Sequence, residues 1–407
     1  MWSHSFPLKT PILLCLITMF KLCSTFCSNS GTDSPFWDAL VKEQTKMVEI
    51  MLDNGQNPNK HYKKHTISPL YFAVQRRNFE LCKLLVAKGA KVNQRTKDHR
   101  GMVPLHIACA RGNLPIVKLL VEEGNADIEI ANFYGDTPLV YALLENENKL
   151  DIAQYLITRG VRIDQINFGA SPLHIVAGIG DFAVCKFLVE NGANVNQKTT
   201  NVGDNQFTPL HMASLNGHFQ IVKLLVEEGN ADIEIANSNG DTAFSMALFK
   251  RNFKLARYLY DKGARIDRMN KMGHSPLHIV AVIGDFAFCK ILVENGANVN
   301  QKTANVGDHL STALIIASVE GHLQIVKLLV EEGNADIEIA NSNGHTAFFM
   351  ALKKYNFEIA RYLYDKGART DWPRLIDAGF SIVLMPGLIV ILVAIGSLLF
   401  VNRRQSD

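Results

Sequence analysis

Residues Thr208–Gly229 read TPLHMASLNGHFQIVKLLVEEG, and after Asn230 the chain continues as ADIEIANSNGDT to Thr242. Thr208 offers an oxygen to the unpaired amides of a helix start, and Pro209 takes the first helical position, where no amide bond is lost. Leu210 and Ala213 then share one helical face. A second apolar segment, IVKLLVEEG, ends on Gly229. Glycine suits that place because the residue just past a helix commonly turns left-handed, which a side chain penalises. The Asn-, Asp- and Gly-rich string beyond it is turn-forming and predicts a hairpin-like finger. The stretch thus encodes two short antiparallel helices and a polar connector, a unit that buries its apolar side only by stacking on neighbours.

Working outward, the opening phrase recurs at Ser34, Ser68, Val103, Thr137, Ser171, Thr208, Thr242, Ser275, Thr312 and Thr346, at intervals of 33 to 37 residues. Each copy has its own apolar segment and closing glycine, from Gly55 to Gly367. A longer period overlies this one, since Ser171, Thr208 and Thr242 reappear 104 positions later as Ser275, Thr312 and Thr346. KLLVEEGNADIEIANSNG is identical in the two blocks, whereas Asp241 becomes His345, Arg251 becomes Tyr355 and Lys254 becomes Glu358. The apolar frame is kept and the solvated surface differs.

TPLHMA, the GH of NGHFQIVKLLVEEG and the GANVN that follows such segments resemble the ankyrin-repeat family. The resemblance covers residues 34–371. It implies an all-α ankyrin-repeat solenoid of ten helix-turn-helix repeats with hairpin fingers, and a protein partner. Individual copies depart from the pattern: Tyr71, Val140, Ser245, Ile315 and Phe349 hold the place of the signature histidine, and Ala243, Ala313 and Ala347 replace proline. Where His106, His174, His211 and His278 keep that place, the resemblance implies that the imidazole bonds local backbone and ties repeats together.

Composition narrows the function. With 407 residues, 47% hydrophobic, the chain can bury a large core. A formal net charge of +3 and no long Lys/Arg run favour no nucleic-acid partner. Cys82, Cys185 and Cys289 recur in one frame, LCKLL, VCKFL and FCKIL, and read as buried free thiols too far apart to pair. No CxxC or HExxH motif occurs, and HYKKH at His61–His65 has no nearby cysteine, so no metal site is expected. No nucleophile with a spaced base, Gly-rich phosphate loop or small-molecule cofactor motif stands apart from the repeats, so no catalytic residue is expected.

Both ends are hydrophobic. Residues 380–401, FSIVLMPGLIVILVAIGSLLFV, are uncharged and long enough for a transmembrane helix, after a juxtamembrane linker at 372–379 and before a short tail at 402–407. Residues 1–27 contain PILLCLITMF behind Lys9, a pattern of signal-peptide length. The expected chain is single-pass, with the array in a lumen or outside the cell. A tail anchor that leaves the array in the cytosol is the alternative, and the array cysteines suit it.

Candidate contacts for a partner lie at the finger tips, where aromatic and Met side chains give large contact area: Phe133, Tyr134, Phe168, Phe207 and Met272. An acidic stripe recurs every third repeat, at Glu122, Glu123, Asp127 and Glu129 and their copies. It reads as solvated helix ends, with a basic partner as the functional alternative. The expected function is a non-catalytic, membrane-anchored protein–protein interaction scaffold. A subunit of an oligomeric, channel-like or toxin-like membrane assembly is the second possibility, disfavoured by a span without ionisable residues.

Overall fold

Each Ser, Thr or Val that opens the repeated phrase is the residue before a helix in the computed structural model, and each apolar segment forms the helix that follows it. The structure describes residues 34–61, 66–144, 148–166, 169–200, 205–304, 310–370, 380–385 and 388–393. Among them, helices fall in consecutive pairs within two compact units, Met1–Ser238 and Asn239–Asp407. In the first unit the pairs run from Pro35–Val41 with Thr45–Asp53 to Pro209–Asn216 with Phe219–Glu227. In the second they run from Ala243–Phe249 with Phe253–Asp261 to Ala347–Lys353 with Phe357–Asp365.

The local chemistry matches these boundaries. Thr208 Oγ1 accepts the His211 amide, Ser68 Oγ the Tyr71 amide and Thr312 Oγ1 the Ile315 amide. Between the two helices of a pair the chain reverses through a left-handed residue, Gly180, Gly217, Gly284 or Gly321. Arg77, Arg251 and Tyr355 take the same turn without glycine, at φ of 56 to 63°. The buried face of each second helix repeats at i and i+4: Leu81 with Leu85, Ile221 with Leu225, Leu255 with Leu259, and Ile325 with Leu329 are all at most 1% exposed.

The fingers close in two ways. Where the string contains QRT or QKT, a buried threonine bridges it: the Thr199 amide donates to the Phe207 carbonyl at 2.9 Å, and the Phe207 amide donates to Thr199 Oγ1 at 2.9 Å. Thr96 binds Met102 and Thr303 binds Ser311 in the same manner. Where the string reads IAN, the asparagine does this work. The Asp136 amide donates to Asn132 Oδ1 at 2.9 Å and the His345 amide to Asn341 Oδ1 at 3.0 Å.

The closing glycines do not all turn left-handed as expected. Gly192 and Gly296 are left-handed past their helices, as expected, but in the VEEGN copies the left-handed residue is the next one, Asn125, Asn230 or Asn334, at φ of 51 to 53°. Three residues separate Glu227 from the buried Ala231, where two separate Glu190 from Ala193, and the closing turn widens: the Gly229 amide reaches back to the Leu224 carbonyl, five residues before it. Gly229 is required for space. A Cβ there would lie 2.8 Å from the Leu225 carbonyl oxygen and 2.9 Å from Val195 Cγ1.

The transmembrane helix expected over 380–401 is not what the described residues form. Phe380–Met385 and Leu388–Val393 are antiparallel strands, β1 and β2, with Phe380 opposite Val393 and Met385 opposite Leu388. The physical reason is legible afterwards, because short Ile- and Val-rich runs suit strands as well as helices and Pro386–Gly387 is a turn-forming dipeptide. No helix among the described residues is long and apolar enough to cross a membrane. Residues 1–27, 372–379, 386–387, 394–401 and 402–407, and Phe168, lie outside the described residues.

Candidate functional site

The recurring histidines serve the scaffold. His174 Nδ1 accepts the Ser171 amide at 3.1 Å while Nε2 lies 3.0 Å from the Phe207 carbonyl, so one ring caps its own helix and holds the next finger. His106 bridges Val103 to the Asp136 carbonyl in the same way, and His278 bridges Ser275 to the Gln301 carbonyl. His211 caps Thr208 likewise. Burial holds the His106 and His278 imidazoles down at about 4, so both are neutral and donate through Nε2. With both nitrogens engaged, His106, His174 and His278 have no free site for proton transfer to a substrate.

The cysteines are also internal. Cys82, Cys109, Cys185 and Cys289 are buried, and burial pushes the Cys82 and Cys289 thiols up to about 12. These are packing side chains rather than nucleophiles. Among the described residues no group of three or more His, Cys, Asp and Glu side chains is placed to hold a metal ion.

The finger tips of the first unit are linked by main-chain bonds. The Lys97 amide donates to the Thr66 carbonyl at 2.7 Å, and the Phe133 amide donates to the Arg100 carbonyl at 2.9 Å. Phe133 is the most exposed large apolar side chain among the described residues, at 63%. Its ring nevertheless has a fixed seat: it covers Gly101, where a Cβ would lie 2.6 Å from it, and the Arg95 guanidinium stands 5.4 Å from its centroid. Tyr134 packs edge-on against His99 at 6.2 Å. The structure therefore brings Phe133 and Tyr134 together with Arg95, His99 and Gly101. Sequence reasoning missed those three, although the KDHRG insertion marks a departure from the other fingers.

Phe207 and Met272 are placed differently. The backbone of Phe207 closes its finger and receives His174, and its half-buried ring tilts against His211 at 6.0 Å. Met272 is 41% exposed at a tip in the second unit, beside Gly273, whose own Cβ would collide with Ala304.

The acidic stripe is answered within the array. Glu122 binds Arg159 and the Tyr155 hydroxyl, Glu129 accepts the Arg162 amide, Glu331 binds Lys366 at 3.0 Å and Glu332 binds Lys290 at 3.5 Å. These four carboxylates knit adjacent repeats.

Comparison with known proteins agrees with this architecture. The chain is 31% identical over 207 residues to a palmitoyltransferase of Lachancea kluyveri, covering 49% of this chain and 27% of that protein. It is 29% identical over 280 residues to transient receptor potential cation channel subfamily A member 1 of Homo sapiens, 66% of this chain and 24% of that one. It is 28% identical over 348 residues to alpha-latrocrustotoxin-Lt1a of Latrodectus tredecimguttatus, 78% of this chain and 22% of the toxin. The matched stretches thus span about a quarter of these relatives' length. The family described as ankyrin repeats, in three copies, matches residues 70–167, 145–237, 229–303 and 303–371. With most of its length so matched, and with paired helices, closed fingers and bridging histidines in place, the chain belongs to the ankyrin-repeat family.

Proposed function

We propose that this chain is a non-catalytic protein-interaction scaffold whose finger tips receive a partner, and that residues 380–401 tether it to a membrane. The observation that carries the first part is the contrast between buried chemistry and presented surface. His106 and His278 are spent on the fold, while Phe133 is held 63% exposed on a seat of Gly101 and Arg95. A rigid aromatic that loses little freedom on docking is the usual centre of a binding hot spot. The membrane part rests on the uncharged sequence of 380–401. A lumenal or extracellular array, following signal-peptide removal from 1–27, is the preferred topology.

The test combines two measurements. In intact vesicles, protease protection of the array with N-terminal sequencing reports its side of the membrane. Cross-linking then compares the parent with a chain carrying Ser at Phe133, Tyr134, Phe168, Phe207 and Met272. Equal capture of the same partner by both chains would remove finger-tip recognition.

A second reading, a subunit of an oligomeric membrane assembly, draws on the likeness to a cation channel and to alpha-latrocrustotoxin. Cross-linking in membranes that yields only monomers excludes it.

A further inference from the structure

The basic groups of the array divide into those that meet a carboxylate and those that do not. Arg159, Arg162, Lys290 and Lys366 each face a carboxylate. Lys60, Arg95 and Lys97 do not: among the described residues none of them forms an ion pair. The acid at this tip, Asp98, is already consumed. It binds Arg100 at 3.0 Å, accepts the Thr96 hydroxyl at 2.6 Å and takes the Arg100 and Gly101 amides.

The three cations are held in register. Asn59, next to Lys60, accepts the Lys91 amide and donates to the Gly89 carbonyl, which fixes the first finger on the second. The Lys97 amide is bonded to Thr66, and Arg95 is pinned between the Gly101 carbonyl at 2.9 Å and the Phe133 ring. His61 senses this charge: its pKa is lowered by burial first and by Lys97 second.

We propose that Lys60, Arg95, Lys97 and Phe133 form a docking strip for an extended acidic peptide segment of a partner protein, carboxylates meeting the cations and an apolar side chain resting on Phe133. This deepens the interaction reading above and rests on it. A peptide suits the strip better than a nucleic acid does. Polyanion binding draws its affinity from many phosphate contacts, and three unpaired cations beside one exposed ring are few for that. A short run of carboxylates needs no more, and unpaired cations gain most from new partners.

The experiment measures fluorescence anisotropy of a labelled peptide alternating Glu and Leu, titrated with the full chain in detergent micelles. Saturable binding is expected, weakened by salt. The Arg95→Ser, Lys97→Ser double variant and the Phe133→Ser variant should each raise Kd by about tenfold, a loss of one strong contact. A peptide alternating Lys and Leu should not bind. Circular dichroism of the variants, expected to match the parent, shows that the array is intact. No binding of the Glu peptide, or equal binding by parent and variants, overturns the strip. So does displacement of the peptide by a single-stranded RNA oligonucleotide or by phosphatidylserine vesicles at lower concentration than by unlabelled peptide. If the strip fails while cross-linking still captures a protein through the other finger tips, the scaffold reading survives without it.

Discussion

The imidazole of His322 occupies the space a side chain would need at Gly284: a Cβ on that glycine would lie 2.4 Å from the ring's Cε1, and Nε2 reaches the Val282 carbonyl at 3.2 Å. One histidine thus caps the end of Pro276–Ile283, the first helix of the preceding repeat, and fills the hollow beside it. His218 repeats the arrangement over Gly180 and Gly178.

Two glycines of almost equal φ should therefore respond differently. Gly284→Ala meets both a φ of +86° and the His322 ring, whereas Gly296→Ala has a φ of +80° and open space. The first should cost about 3 kcal/mol and the second about 1 kcal/mol, the ordinary left-handed penalty of an L-residue. Urea midpoints that fall equally for the two variants would contradict the ring contact.

The same penalty makes an opposite prediction at Arg251, exposed at φ of 56° where other copies have glycine. Arg251→Gly should stabilise the chain by roughly 0.5–1 kcal/mol. A lower melting temperature for this variant would show that the arginine makes a compensating contact.

Burial of neutral histidines ties stability to pH. The folded pKa of His278 is about 4, below the 6.5 of an exposed imidazole, so the unfolded chain binds the extra proton between these values. Its stabilisation is complete above pH 6.5 and declines as pH falls toward 4, at about 1.4 kcal/mol per pH unit. His278→Gln should flatten that slope. Parallel urea midpoints for parent and variant from pH 7 to 4 would refute it.

Asp136 works in the reverse sense. Burial raises its carboxyl from 3.8 to about 6, with the Asn132 amide holding it back, so the charged form strains the fold above pH 6. Asp136→Asn should raise stability by about 2 kcal/mol at pH 8 and by almost nothing at pH 4, where the native carboxyl is mostly protonated. Thermal melts at the two pH values read the difference directly.

Truncation of a buried second-helix residue tests the packing itself. Leu188 is 0% exposed, and Leu188→Ala should cost about 2–5 kcal/mol. A shift under 1 kcal/mol in the urea midpoint would mean that this face is not the core.

The repeat unit was legible in the chain itself. Thr208–Pro209 marks a helix start, and Leu81 with Leu85 or Ile221 with Leu225 marks a buried face, because capping and four-residue spacing are local properties that a linear string displays. What the amino-acid order left open depended on groups far apart along it. The pairing of Glu122 with Arg159 turned an apparent acidic stripe into a seam between repeats, and the inserted residue of VEEGN moved the left-handed turn from Gly229 to Asn230. The Ile- and Val-rich runs on either side of Pro386–Gly387 suit helix and strand alike, and the turn-forming dipeptide between them did not decide the matter until the fold gave β1 and β2. The seat of Phe133 on Gly101, 32 positions before it in the chain, likewise exists only once neighbouring fingers lie side by side. Hydrogen bonds and ion pairs between repeats are set by stacking in space, and no local reading of spacing could supply them.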